Sequence, residues 1–147
     1  MPTDSIDIQV RAVCAVPEGC ALFLGNANKV FVIHIDPVLG QAITSALRPS
    51  PRTRPMTHDL MANIFAGFGI GLERVIINDA TGDTFYARVI LRMENELGVK
   101  MVEADARPSD SIILALNAKR PMGVSKKLWE KLPDSTALME RLVRGKN

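Results

Sequence analysis

Cysteine is scarce in this sequence: Cys14 and Cys20 are the only two among 147 residues. They flank Ala15-Val16-Pro17-Glu18-Gly19, which reads as a turn between strands, so a disulfide across a hairpin is one geometric option. The opening residues Met1-Pro2-Thr3-Asp4-Ser5 lack the basic and apolar regions of a signal peptide, and two free, mostly buried thiols are the expectation. The cysteine spacing fits no common zinc pattern, and the only histidines are His34 and His58, which argues against a structural zinc site. No apolar run approaches the ~20 residues that cross a bilayer, so a membrane partner is not expected and a cytoplasmic location is. The chain also lacks a Gly-x-Ser-x-Gly elbow, a Gly-rich phosphate loop ending in Gly-Lys-Ser/Thr, and a His-Glu-x-x-His helix, which sets aside three enzyme classes. A net charge of only +2 makes no global electrostatic case for nucleic acid.

What is present suits one domain that needs no metal or disulfide staple for its core. Residues 1–132 read as that domain and residues 133–147 as a basic C-terminal helical tail. Charge divides unevenly: residues 1–118 hold 10 Lys/Arg against 13 Asp/Glu, and residues 119–147 hold 8 against 3. Such a tail suits phosphates or an acidic partner, or is a solvated helix face.

Alternation at Ile6, Ile8 and Val10 and the apolar Ala21–Leu24 and Val30–Ile33 runs predict strands. Asp36-Pro37 predicts a helix start, with Val38, Leu39, Ala42, Ile43, Ala46 and Leu47 at helical spacing. Pro49 to Pro55 reads as an extended loop carrying Arg52 and Arg54, with Arg48 just before it. A second helix is predicted from Thr57 to Phe68, burying Leu60, Met61, Ile64 and Phe65. The centre reads as an antiparallel meander in which Phe85, Ala87, Val89, Leu91 and Met93 share one strand face. Tyr86, Arg88, Ile90 and Arg92 share the other, a solvated, interface or ligand surface. A third helix begins at Pro108, a short strand covers Pro121–Val124, and two short helices follow. The order is mixed rather than alternating, which predicts an α+β fold with a largely antiparallel mixed sheet and helices packed on it. His34, in an apolar strand, reads as a core or interface residue.

Two segments begin alike: Arg54-Pro55-Met56-Thr57-His58-Asp59 and Asp105-Ala106-Arg107-Pro108-Ser109-Asp110. Proline suits the first turn of a helix, and Thr, Ser and Asp suit its cap. Free N–H groups and the positive dipole end can receive an anion there, beside an always-charged arginine fork.

The stretch from Val30 to Val124 resembles the bifunctional nuclease family. Arg54-Pro55-Met56-Thr57-His58-Asp59-Leu60 is similar to that family's Arg-Pro-Leu-Thr-His-Asp-Leu block. Asp83-Thr84-Phe85-Tyr86-Ala87 is similar to its Thr-Phe-Tyr-Ala strand, and Asp105–Ser111 to its Asp-Ala-Arg-Pro-Ser-Asp-Ala block. One position departs: Leu39 stands where the family has a glutamate, with Asp36 nearby. The resemblance implies an α+β, homo-oligomeric domain that cleaves DNA and RNA, assisted by a divalent metal such as Mg²⁺ or Mn²⁺.

Carried onto this chain, Arg54 and Arg107, with Thr57 and Ser109, would bind phosphate at the two helix starts. His58 would move protons, and Asp59, Asp105 and Asp110 would act as bases or metal ligands. Each assignment has a structural counterpart. Thr57 and Asp59 are ordinary first-turn residues, and Arg107 between two acids is an ordinary ion-pair network. The competing function is a non-catalytic homo-oligomeric module that binds an anion or a protein partner; His58, Asp59, Asp105 and Asp110 converging in an open cleft would favour the nuclease, and scattering of the four would weaken it.

Overall fold

The computed structural model describes residues 4–145. Strands β1 (Ser5–Val16) and β2 (Gly19–Gly25) form a hairpin, and β2 continues antiparallel into β3 (Val30–Ile35). Cys14 lies opposite Ala21 and Cys20 opposite Ala15, so the two side chains leave the ribbon on opposite faces. Both thiols are buried and no disulfide is formed. Helix α1 (Pro37–Leu47) starts where Asp36 accepts a hydrogen bond from the Val38 N–H at 2.7 Å, with Pro37 in the first turn. It lies so close to the sheet that a Cβ on Gly40 would sit 2.6 Å from the Cys20 sulfur.

After the exposed loop, α2 (Thr57–Gly67) leads into a meander of β4 (Ile70–Thr81), β5 (Thr84–Asn95) and β6 (Gly98–Ala106). The β4–β5 connection is two residues, Gly82-Asp83, and Gly82 adopts the positive φ of 63° that so tight a loop requires. Helix α3 (Pro108–Ala118) then returns the chain to β7 (Met122–Ser125), followed by α4 (Lys126–Lys131) and α5 (Thr136–Arg144). The result is a seven-stranded sheet in the order β3-β2-β1-β7-β4-β5-β6, in which only β4 and β7 run parallel. The fold is α+β and forms a single domain.

One sheet face carries the main core, where Leu22, Leu24, Phe31, Val75, Ile77 and Val89 meet Ile43 of α1 and Ile112 and Ile113 of α3. Behind β1, β2 and β3 lies a second cluster of Cys14, Ala21, Phe23 and Val30, covered by Met139, Leu138 and Leu142 of α5. The segment after Leu132 therefore shares the core. It also covers the outer edge of β3 at its first residue: the Val30 N–H donates to Asp134 at 3.0 Å, and the Ser135 N–H donates to the Val30 carbonyl at 2.6 Å. Lys29 donates to the carbonyls of Trp129 and Leu132 and sits 4.9 Å from the Trp129 ring, which meets Phe31 edge-on.

Three sequence expectations need correction. Helix α2 fully buries none of its residues: of the four apolar residues expected inside, Leu60 is 52% exposed and Ile64 48%, and only Met61 and Phe65 are partly covered. The helix rests on α3 and β4 through its opposite side. Met56, not Thr57, caps α2, so Pro55 lies outside the helix. His34 is exposed on β3 and so is not a core residue: it lies on the strand face of Val30 and Val32, but unlike Val30 it is not part of the cluster beneath α5.

Candidate functional site

The site grows from the first turns of the helices. At α3, Arg107 is the cap residue in extended conformation and Pro108 opens the helix. One turn on, Asp110 points back over the helix start, and the Arg107 Nε–H donates to its Oδ2 at 2.8 Å. Asp110 Oδ1 meets His58 Nε2, from the first turn of α2, at 2.9 Å. Asp36, at the start of α1, adds its charge to the field at Arg107. Two helix N-termini, and with them two positive dipole ends, thus meet at one corner of the molecule.

Exposure grades across this cluster: the His58 side chain is 13% accessible, Asp110 27% and Arg107 68%. Partial burial works against ionisation of Asp110, yet the hydrogen bonds from Arg107 and His58, reinforced by their charges, hold its carboxyl below the usual range. The hydrogen bond and negative charge of Asp110 raise the already high value of Arg107. The unit is a carboxylate fixed between an imidazole and a guanidinium. A carboxylate on one ring nitrogen fixes ring orientation and leaves the other nitrogen for proton transfer, while the arginine offers phosphate or carboxylate a charged fork.

The other candidate residues stand apart from it. Asp59, one residue and about 100° of helix turn beyond His58, caps its own helix by accepting from the Met56 N–H at 2.8 Å, with Arg52 3.4 Å away. Asp105 faces Arg88 across the β5–β6 ladder at 4.0 Å. Its neighbour Ala106 and the facing Ala87 point into the core, so Asp105 leaves by the opposite sheet face. Arg54 and Thr57 are exposed beside the start of α2, whereas Ser109 is buried. Among the described residues no group of three His, Cys, Asp or Glu side chains could hold a metal ion. Asp59, Asp105 and Asp110 do not fit as a shared ligand set. Asp36, whose charge bears on Arg107, was legible as the Asp-Pro helix start and as the acid near the position where Leu39 replaces the family's glutamate. A cavity of about 730 Å³ opens elsewhere, at the far end of α3 beside Arg11, Lys119 and Arg120, and none of the candidate residues lines it.

Fold and corner together define a class: an α+β domain whose helix starts assemble a His–Asp–Arg cluster. The sequence pattern described as "Bifunctional nuclease domain" matches residues 22–136, and the chain belongs to that family. Two uncharacterized proteins of Mycobacterium tuberculosis, from strains CDC 1551 / Oshkosh and ATCC 25618 / H37Rv, are similar to it. Each is 37% identical over 99 residues, covering 67% of this chain and 56% of the relative. The match therefore spans little more than half the length of those proteins.

Proposed function

We propose that this domain is a nuclease that hydrolyses phosphodiester bonds of DNA and RNA with little sequence preference, centred on His58, Asp110 and Arg107. The observation that carries the reading is the two-sided engagement of Asp110, by His58 at 2.9 Å and Arg107 at 2.8 Å, where α2 and α3 begin. Asp110 orients the imidazole. With Nε2–H given to the carboxylate, the Nδ1 lone pair accepts a proton from attacking water, and the imidazolium then protonates the leaving oxygen. Arg107 transfers part of its interaction from Asp110 to the phosphate, where negative charge builds up during attack. Arg54 and the free N–H groups of the helix starts hold flanking phosphates, a contact that needs no base recognition.

Dependence on Mg²⁺ or Mn²⁺ belongs to the proposal in a restricted form. One or two carboxylates would have to share the ion with substrate oxygens, and it would supply charge neutralisation at the phosphate. A cytoplasmic site of action is proposed as well. Among the described residues no helix is long and apolar enough to cross a membrane.

The test is cleavage of labelled single- and double-stranded DNA and RNA by purified protein with Mg²⁺, Mn²⁺ or EDTA, beside His58→Ala and Asp110→Asn. We expect each substitution to reduce cleavage by about 10²-fold or more, the scale of a lost general acid–base group, in protein that remains folded. Full activity in both variants would overturn the assignment. The separation of Asp59 and Asp105 from the cluster favours a second reading, a homo-oligomeric module that binds an anion or protein partner without cutting. Retained binding of labelled nucleic acid without cleavage under any metal condition would select that reading.

A further inference from the structure

The two edges of the sheet are built unlike each other. Strand β6 carries Lys100, Glu103 and Asp105, whereas β3, Val30–Ile35, holds no Lys, Arg, Asp, Glu or Pro and keeps an unbroken register with β2. Charges, proline and bulges are the ordinary means of stopping a further strand from adding to an edge, and β3 has none of them. Its backbone groups alternate. Asn26 donates to the Lys29 carbonyl at 3.0 Å, so Lys29, Phe31 and Ile33 turn their N–H and C=O groups towards β2, while Val30, Val32 and His34 turn theirs outward. The chain's own Asp134 and Ser135 take both outward groups of Val30. Among the described residues nothing bonds those of Val32 and His34.

A groove runs beside these two open rungs. Phe31 and Phe85 stack with ring centroids 6.1 Å apart although four strands separate β3 from β5, so the sheet curls and brings the β4–β5 turn across from β3. Between them opens a cavity of about 550 Å³ with Phe31, Phe85 and Leu132 as its apolar lining and Gly82, Asp83 and Pro133 beyond. We propose that this groove takes an extended peptide segment of a partner protein, added to β3 as a further strand. Residues of the segment opposite Val32 and His34 exchange main-chain hydrogen bonds with them. The residue between lies opposite Ile33 and points to the sheet side on which Phe31 and Phe85 stack, so an aromatic or large apolar side chain fits it. Asp83 is the one carboxylate of the lining and no Lys or Arg joins it, so a Lys or Arg two positions from the apolar residue, on the same side, completes the match. The surroundings favour a single segment over a second folded copy. Asp134 and Ser135 already occupy the first rung, and a strand with its own sheet behind it would meet the Gly82-Asp83 turn. The groove shares no residue with the His58–Asp110–Arg107 corner, and the inference does not rest on the nuclease reading.

The probe is a capped peptide, Thr-Arg-Thr-Phe-Thr-Arg-Thr, followed by amide resonances and hydrogen exchange of the full chain. The Val32 and His34 amides should exchange fast in the free protein and become protected as peptide is added, while resonances of Gly82 and Phe85 shift with them. His34→Pro removes an outward N–H that β2 does not use, on an edge where proline is tolerated, and should weaken binding by roughly tenfold. Asp83→Lys should weaken it too. Should the proline variant misfold, the same peptide N-methylated at the two Thr beside Phe decides, because it keeps the side chains, loses the main-chain donors and should not bind. No shift at Val32 and His34 by about 1 mM peptide overturns the proposal. So does undiminished binding by both variants, or equal binding of the methylated peptide. Protection of the two amides in free protein that fades on dilution assigns the edge to a second copy and overturns it as well.

Discussion

Asp110 gives up its proton more readily than an isolated aspartate, because the pairing with Arg107 and His58 outweighs the cost of partial burial. The folded state therefore binds fewer protons at this group than the unfolded chain does. Its contribution to stability is complete above the ordinary value near 3.9 and is lost as pH falls through the lower folded value. Urea denaturation at a series of pH values should show wild type losing more stability between about pH 5 and pH 2 than Asp110→Asn does. Equal acid slopes would mean that the pairing has no energetic weight. At this scale the sequence revealed residue types and not partners. Arg107 and Asp110, three apart at a helix start, were readable as neighbours, whereas His58 lies 52 positions from Asp110 and only the packing of α2 on α3 joins them. Asp59 and Asp105 carried the same apparent promise. A rotation along the helix removed one, and the alternation of a strand removed the other.

Among the elements, α1 and α5 show how closely this fold is fitted. On Gly40 an added methyl would meet the buried Cys20 sulfur at 2.6 Å, so α1 would have to rise from β2. Gly40→Ala should destabilise the protein by about 1–3 kcal/mol of overpacking, only partly offset by the better helix propensity of alanine. Adding Cys20→Ala in the same chain removes the opposing sulfur and should recover part of the loss, with denaturant midpoints as the measure. Helix α5 covers the second cluster through Met139, 8% exposed, and Met139→Ala should cost roughly 2–4 kcal/mol by the same assay. The two sheet edges are protected differently. Loop residues Asp134 and Ser135 cover the start of β3 at Val30, while the bare edge strand β6 carries Lys100, Glu103 and Asp105, charges that discourage strand addition. Helix α2 was read from its apolar spacing as core-facing, but that spacing shows only that a helix has an apolar side. What lies against that side is set by elements distant in the sequence.

For the molecule as a whole, the separation of a domain at residues 1–132 from a tail at 133–147 has a direct physical test. Trp129 packs edge-on against Phe31 of the sheet, in the helix that leads into the tail, so its fluorescence reports that region while far-ultraviolet dichroism reports the whole chain. Because the tail shares the core and pairs with the first residue of an edge strand, the two signals should unfold with one midpoint in denaturant. An earlier transition in fluorescence alone would instead mark a separately melting tail. The sequence by itself determined the segments and their types: the alternation of β5, the Asp36-Pro37 and Pro108 helix starts, the mixed order that means α+β, and the three blocks that carry the family. Those signals act within a few residues, through pleat, cap and dihedral preference, so they survive without the fold. Only the tertiary structure decided that β7 enters between β1 and β4, that α5 belongs to the core, and that Asp110 meets His58 while Asp59 and Asp105 turn away. These outcomes depend on which faces find apolar partners and which charges find counter-charges across long loops, and no local pattern in the chain encodes that.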